Sequence, residues 1–248
     1  MTDLFNHLDW DLAFPDSKPV GDVEIDWSDP ITEGLEFFTI IQDGKMVDLV
    51  EMSLATLTGN AAVAAQELST TYSGAGLATW SGRRTIPNTV GRTVITRSNI
   101  SSLNGQAFSY FLAVKGTTEF SLLLSVYQTT PSCLQITWHP AIGYLRSSTD
   151  YIDFNEWRTY GASVAPDGLS ANAKLYKDGI KFTGTPAAAT DGALETLNGG
   201  SIYMSGRPSG ARYLNGKQSF GTFWSRQLED EEVKRFSDNP NCFLVPRY

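Results

Sequence analysis

Alternation with a period of two, repeated in segment after segment, constrains this chain more than any other feature. Phe108, Tyr110, Leu112 and Val114 alternate with Ser109, Phe111, Ala113 and Lys115. Phe120, Leu122, Leu124 and Val126 alternate with Ser121, Leu123, Ser125 and Tyr127, and similar runs occupy 160–164, 169–176 and 220–225. Successive side chains of a strand point to opposite faces. So many such runs therefore predict antiparallel sheets with one face on a core. Turn chemistry agrees. Asp178-Gly179 supplies the positive-φ pair of a tight hairpin, and Pro166-Asp167-Gly168, Asn198-Gly199-Gly200 and Asn215-Gly216 punctuate the other runs. The expectation is an all-β antiparallel jelly-roll β-sandwich.

Two segments break the alternation. Residues 61–67 have high helix propensity over one or two turns. Residues 228–238 form the better helix, with acids at its start, Lys234 and Arg235 near its end, and Pro240 beyond it. This predicts one short C-terminal helix against the sandwich. Residues 1–30 have neither period. They carry eight acids against Lys18 alone, together with Phe5, Trp10 and Phe14. They read as an extended N-terminal arm and lead-in, and 31–248 as the sandwich. The arm's three aromatics are the expected partner-binding anchors.

Charge excludes several classes. The net charge is −8, and the 19 Lys and Arg are scattered. A phosphate-tracking stripe is missing, so no nucleic-acid partner is expected, and no anionic membrane surface. The apolar runs stop after about eight residues, short of the roughly 18 needed to span a bilayer. The N-terminus reads as lacking a secretory signal. Cys133 and Cys242 read as reduced thiols. With only His7 and His139 beside them, no closed zinc set is available, so neither metal nor cofactor is expected.

Glu24-Ile25-Asp26-Trp27-Ser28-Asp29 is the sharpest catalytic lookalike. A retaining glycosidase needs two carboxyls ~5–5.5 Å apart, whereas a five-residue step puts Glu24 and Asp29 on opposite faces of a strand. Asp150, Asp153 and Glu156 form a second acidic group, read as a solvated loop rather than a calcium site. His139 reads as packing or surface. Trp80, Trp138, Trp157 and Trp224 read mostly as core. Tyr144, Tyr151 and Tyr213, near turns with Arg146 and Arg212 close by, are the candidate glycan-binding aromatics.

The last ninety residues carry an ordered set of features. They run Glu156-Trp157-Arg158, the Leu175-Tyr176-Lys177-Asp178-Gly179 hairpin, Ser201–Arg207 as a glycine-ended strand, Asn215-Gly216, Trp224-Ser225-Arg226-Gln227-Leu228 and the acidic helix start. This order resembles a laminin-G-like domain of the concanavalin A-like lectin/glucanase superfamily. Ile25–Pro30 followed by Gly34-Leu35 resembles the lead-in of versions found in bacteriophage structural proteins. The strand before Trp224 reads Gln218-Ser219-Phe220-Gly221 where the family usually shows an acidic pair. The resemblance implies a virion protein of a tailed phage, a head-decoration or other surface-attached protein, located on the virion and not an enzyme. Its partners would be other virion proteins and copies of itself. The alternative is a carbohydrate-binding module or tail-fibre lectin that engages host polysaccharide. A glycoside hydrolase is the third reading.

Overall fold

A computed structural model describes residues 23–64, 67–71, 75–103, 108–115, 120–128, 132–139, 143–148, 151–207 and 212–246. Its strands are β1 Val23–Ile25, β2 Leu35–Gln42, β3 Lys45–Asp48, β4 Ser53–Leu54, β5 Thr56–Thr58, β6 Ala62–Ala64, β7 Glu67–Thr70, β8 Leu77–Trp80, β9 Arg92–Ser102 and β10 Phe108–Lys115. They continue as β11 Phe120–Tyr127, β12 Cys133–His139, β13 Gly143–Arg146, β14 Trp157–Val164, β15 Lys174–Lys177, β16 Ile180–Lys181, β17 Ala188–Thr190, β18 Ile202–Met204, β19 Asn215–Trp224 and β20 Leu244–Pro246. Among the described residues one α-helix, α1, spans Asp230–Asp238.

The strands form two large antiparallel sheets and a small one. The eight-stranded sheet has the order β17-β13-β12-β11-β10-β18-β8-β5. The ten-stranded sheet runs β16-β15-β14-β9-β19-β2-β3-β4, with β7 on β19 and β6 on β7. Between them lies the main core, which includes Phe37, Trp80, Phe111, Leu124, Ile136, Trp138, Tyr160 and Phe223. The architecture is the all-β sandwich expected, and the α-helix among the described residues lies near the C-terminal end.

A third layer covers the outer face of the ten-stranded sheet. There α1 and the β1–β20 pair enclose Phe38, Phe220, Trp224, Phe236 and Phe243. Phe236 meets Trp224 edge-on at 5.2 Å and stacks on Phe243 at 5.7 Å. A buried aromatic hides ~150–250 Å², so Phe236 alone contributes roughly 4–6 kcal/mol of apolar burial before ordering costs. The helix starts with Glu229 at its N-cap, whose backbone N–H donates to Glu232 Oε2 at 2.9 Å. β1 comes from the lead-in, so the two ends of the described chain are knitted side by side, Ile25 opposite Leu244.

Three local expectations are corrected. The helix-prone 61–67 segment supplies β6 instead. β7 docks on β19 through the fully buried Leu68 and gives Ala62–Ala64 a partner, and that tertiary pairing overrides propensity. The alternation at 169–173 is not a strand, because Ser170–Asn172 form a 3-10 turn. Asp167 accepts from Leu169 N–H at 2.9 Å, and Asp191 accepts from Ser170 N–H at 2.6 Å. These side-chain acceptors replace a ladder. Finally, Phe108, Tyr110, Leu112 and Val114 do not share a face. A bulge between Tyr110 and Leu112 turns Phe111, Leu112 and Val114 toward the core and leaves Phe108, Tyr110 and Ala113 on the opposite side.

Candidate functional site

The outward face of the eight-stranded sheet is built by parity. In β11, Leu122, Leu124 and Val126 enter the core, so Leu123, Ser125 and Tyr127 point away from it. Antiparallel register then lines up rows across the sheet. Tyr110, Ser125, Gln135, Arg146 and Ala188 stand opposite one another in turn, as do Tyr203, Ala113, Leu123, Thr137, Tyr144 and Thr190. Phe108 faces Tyr127 at the edge of the first row. None of these outward positions is acidic.

The rings and guanidiniums interlock. Arg146 lies over the Tyr127 ring at 3.5 Å and 5.6 Å from the Tyr144 ring. Its Nε donates to Gln135 Oε1 at 2.8 Å, and Gln135 Nε2 donates to Thr137 Oγ1 at 2.9 Å. Phe108 tilts against Tyr127 at 4.8 Å and stacks parallel to Tyr110 at 6.1 Å. Arg212 Nη1 donates to the Tyr110 hydroxyl at 2.8 Å and sits 5.0 Å from the Phe108 ring; Arg207 lies 5.3 Å from Tyr110. Phe108, Tyr127, Tyr144, Arg146 and Arg212 are half-buried, each with an edge toward solvent, while Tyr110 is buried. Such a surface offers ring faces for stacking and fixed donors for hydroxyl or anionic groups.

The structure unites two of the three tyrosines singled out in the sequence. Tyr144 belongs to this face. Tyr213 packs half-buried beside it, against the cluster of Leu77, Tyr110, Leu123 and Tyr203. Tyr151 lies elsewhere. It packs edge-on against Phe182 at 5.3 Å, with its hydroxyl 3.4 Å from the carbonyl of Ile180 in the hairpin. Burial first, and the nearby Asp178 charge second, push its phenol up to about 12. Phe5, Trp10 and Phe14 lie outside the described residues. Tyr127, Gln135 and the bulged Phe108–Tyr110 pair went unnoticed in the sequence. Their signal is the outward parity of their strands, which becomes a patch only once register is known.

Of the acidic groups, Glu24 is exposed on β1, and Asp26, Asp29, Asp153 and Glu156 are engaged. Asp26 accepts from Ser28 N–H at 3.0 Å and from its hydroxyl at 2.6 Å. Asp29 caps a 3-10 turn at Ile31 N–H, 3.0 Å, and pairs with Arg235. The Asp29 carboxyl lies below its ordinary value: desolvation raises it, and the Arg235 and Ile31 hydrogen bonds outweigh that. Asp153 and Glu156 both pair with Arg158, at 2.7 and 2.5 Å; Asp150 lies outside the described residues. Among the described residues no group of three His, Cys, Asp or Glu is arranged to hold a metal ion, and no helix is long and apolar enough to cross a membrane. Trp80, Trp138 and Trp224 are core, whereas Trp27 is 58% exposed beside an open hollow of about 590 Å³. Glu36 and Glu51, on that hollow, are held by Arg84 and Arg83.

No family model and no curated protein matches the chain. Solved structures do. A Trypanosoma rangeli sialidase in complex with the inhibitor DANA superposes with a TM-score of 0.61 at 16% identity, over 86% of this chain and 34% of that one. The same sialidase with sialic acid gives 0.59 at 16% identity over 85% and 33%. Domain 4 of AbnA, a GH43 extracellular arabinanase from Geobacillus stearothermophilus in complex with arabinotriose, gives 0.52 at 12% identity over 82% of this chain and 98% of that domain. This chain thus spans about a third of the sialidases' length. The expectation that the protein is not an enzyme is corrected by these neighbours, which are enzymes or a domain of one, although identities this low link them by fold alone. The fold is a β-sandwich jelly roll of the concanavalin A-like kind.

Proposed function

We propose that this chain is a glycan-recognition module that binds oligosaccharide on the outward face of its eight-stranded sheet. The observation that carries the reading is the interlocked patch of Tyr127, Tyr144, Arg146, Gln135 and Phe108 on a rigid sheet. Flat rings held by neighbours lose little freedom on stacking against a sugar, and Gln135 is fixed on both sides by hydrogen bonds. The fold likeness to an arabinanase domain in complex with arabinotriose adds support.

The finer sequence resemblance, a laminin-G-like domain with a phage-type lead-in, is part of the same proposal. A tail-fibre lectin would join the two, with the arm residues Phe5, Trp10 and Phe14 serving attachment to other virion proteins. Titration calorimetry after a glycan-array screen tests the binding. The expected result is saturable binding in the micromolar to millimolar range, weakened at least tenfold by Tyr144→Ala. Absence of saturable binding across an array of neutral and acidic glycans refutes it.

A further inference from the structure

We infer that the glycan taken by this face is acidic, with a sugar carboxylate seated on Arg146 and a second anionic group near Arg212; this rests on the glycan-binding reading and names its ligand class. Arg83, Arg84, Arg158, Arg226 and Arg235 each pair with a carboxylate. Arg146 and Arg212 pair with none among the described residues, although the chain carries 27 acids against 19 bases. Two unneutralised guanidiniums on a face whose outward rows hold no acid make a local positive field on a protein of net charge −8.

Arg146 is held ready for a ligand. The Tyr127 ring supports its plane from one side at 3.5 Å, and Gln135 fixes the Nε edge at 2.8 Å. Both Nη nitrogens make no hydrogen bond among the described residues. An anchored guanidinium with its terminal nitrogens uncommitted matches the two oxygens of a carboxylate and loses little side-chain freedom on binding it. Tyr144, one side of the same group, offers a ring face for the sugar that bears the acid.

The second cation sets a length. Tyr110, Ser125, Gln135 and Arg146 are successive register partners, so Arg146 stands three strands from Tyr110. At ~4.8 Å per strand that is about 14 Å, and Arg212 is bonded to the Tyr110 hydroxyl. An oligosaccharide laid across the strands therefore meets cations at both ends and aromatic rings between them. A polyphosphate chain fits less well, because two isolated guanidiniums in an acidic protein do not form a phosphate-tracking stripe.

The test uses an array of matched pairs that differ only in the carboxylate, among them trigalacturonate and its methyl ester, and 3′-sialyllactose and its methyl ester. Calorimetry follows on the strongest pair. The acidic member should bind at least tenfold tighter at low salt, and Arg146→Gln should reduce the pair to parity. Arg146→Lys should recover only part of the preference, because it restores charge without the fork. Tyr144→Ala should weaken both members alike. Melting curves check that each variant is folded. Equal affinity for acidic and neutral members overturns this inference and leaves glycan binding standing, as does an acid preference unchanged in Arg146→Gln. Absence of binding to every glycan overturns both.

Discussion

Gln218 is the buried side chain whose removal should be felt most widely. It is fully buried between the sheets, on β19, at the place where the resembled family usually carries an acid. Its Nε2 lies 2.9 Å from Thr96 Oγ1, 3.2 Å from Ser98 Oγ and 3.1 Å from the carbonyl of Phe111, while Oε1 accepts from the Ser205 hydroxyl at 2.5 Å. The amide has two protons, so its three acceptors share them, and the group makes about three full hydrogen bonds. It joins β19 and β9 of one sheet to β10 of the other and to Ser205 just after β18. Gln218→Met keeps the volume and deletes those bonds. At about 1 kcal/mol net for each, plus about 1–3 kcal/mol for the hydroxyl left without a partner, the loss should be about 4–6 kcal/mol. For a domain of this size 1 kcal/mol moves the midpoint by about 2–4 °C, so the melting temperature should fall by at least 8 °C. Circular dichroism of wild type and variant measures this. A shift under 2 °C, with the cooperative transition retained, would refute the view that this network pins the two sheets together.

Three further outcomes follow from local geometry. Asp48 is fully buried and accepts from Phe38 N–H, from Val50 N–H and from Arg83, so Asp48→Ala should cost about 3–5 kcal/mol by leaving those two N–H groups without their acceptor and the buried Arg83 with Glu51 alone, measured by urea unfolding. The Asp230 carboxyl sits below its ordinary 3.8: desolvation raises it, but hydrogen bonds from Lys174, Lys181 and Tyr176 outweigh that. Its contribution is therefore present above about pH 4 and lost as pH falls further, so the melting difference between wild type and Asp230→Asn should shrink between pH 5 and pH 2.5. Gly168 has φ +66°, and a Cβ there would stand 2.2 Å from the Gly192 carbonyl, so Gly168→Ala should lower the melting temperature by several degrees.

Much of the fold was legible because strand parity and turn chemistry are local. β11, β14 and β19 lie where alternation placed them, and Asp178 and Gly179 take the positive φ values, +51° and +73°, that a tight hairpin demands. What local pattern does not encode is which strand lies beside which. β19 runs between β9 and β2, and β18 between β10 and β8, each pairing across long stretches of chain. The same limit explains 61–67. Ala-rich sequence favours helix in isolation, and only the docking of β7 on β19 makes the extended form better.

The candidate site depends on the term that sequence reads worst, a one-residue shift. Strict alternation through β10 would put Phe108 and Tyr110 in the core with Leu112 and Val114. The bulge after Tyr110 moves Phe111 inward, where it stacks on Tyr160 at 5.2 Å, and leaves Phe108 and Tyr110 to meet Tyr127 and Arg212 outside. Because side chains have a period of two, one extra residue exchanges the faces of everything on one side of it. Without the bulge the outward face would lose two of its rings and the hydroxyl that positions Arg212. The core would in turn have to accept a tyrosine hydroxyl without a partner. The irregularity thus serves both faces at once: it spares the core an unsatisfied polar group and assembles the aromatic and cationic patch on which the proposed recognition rests.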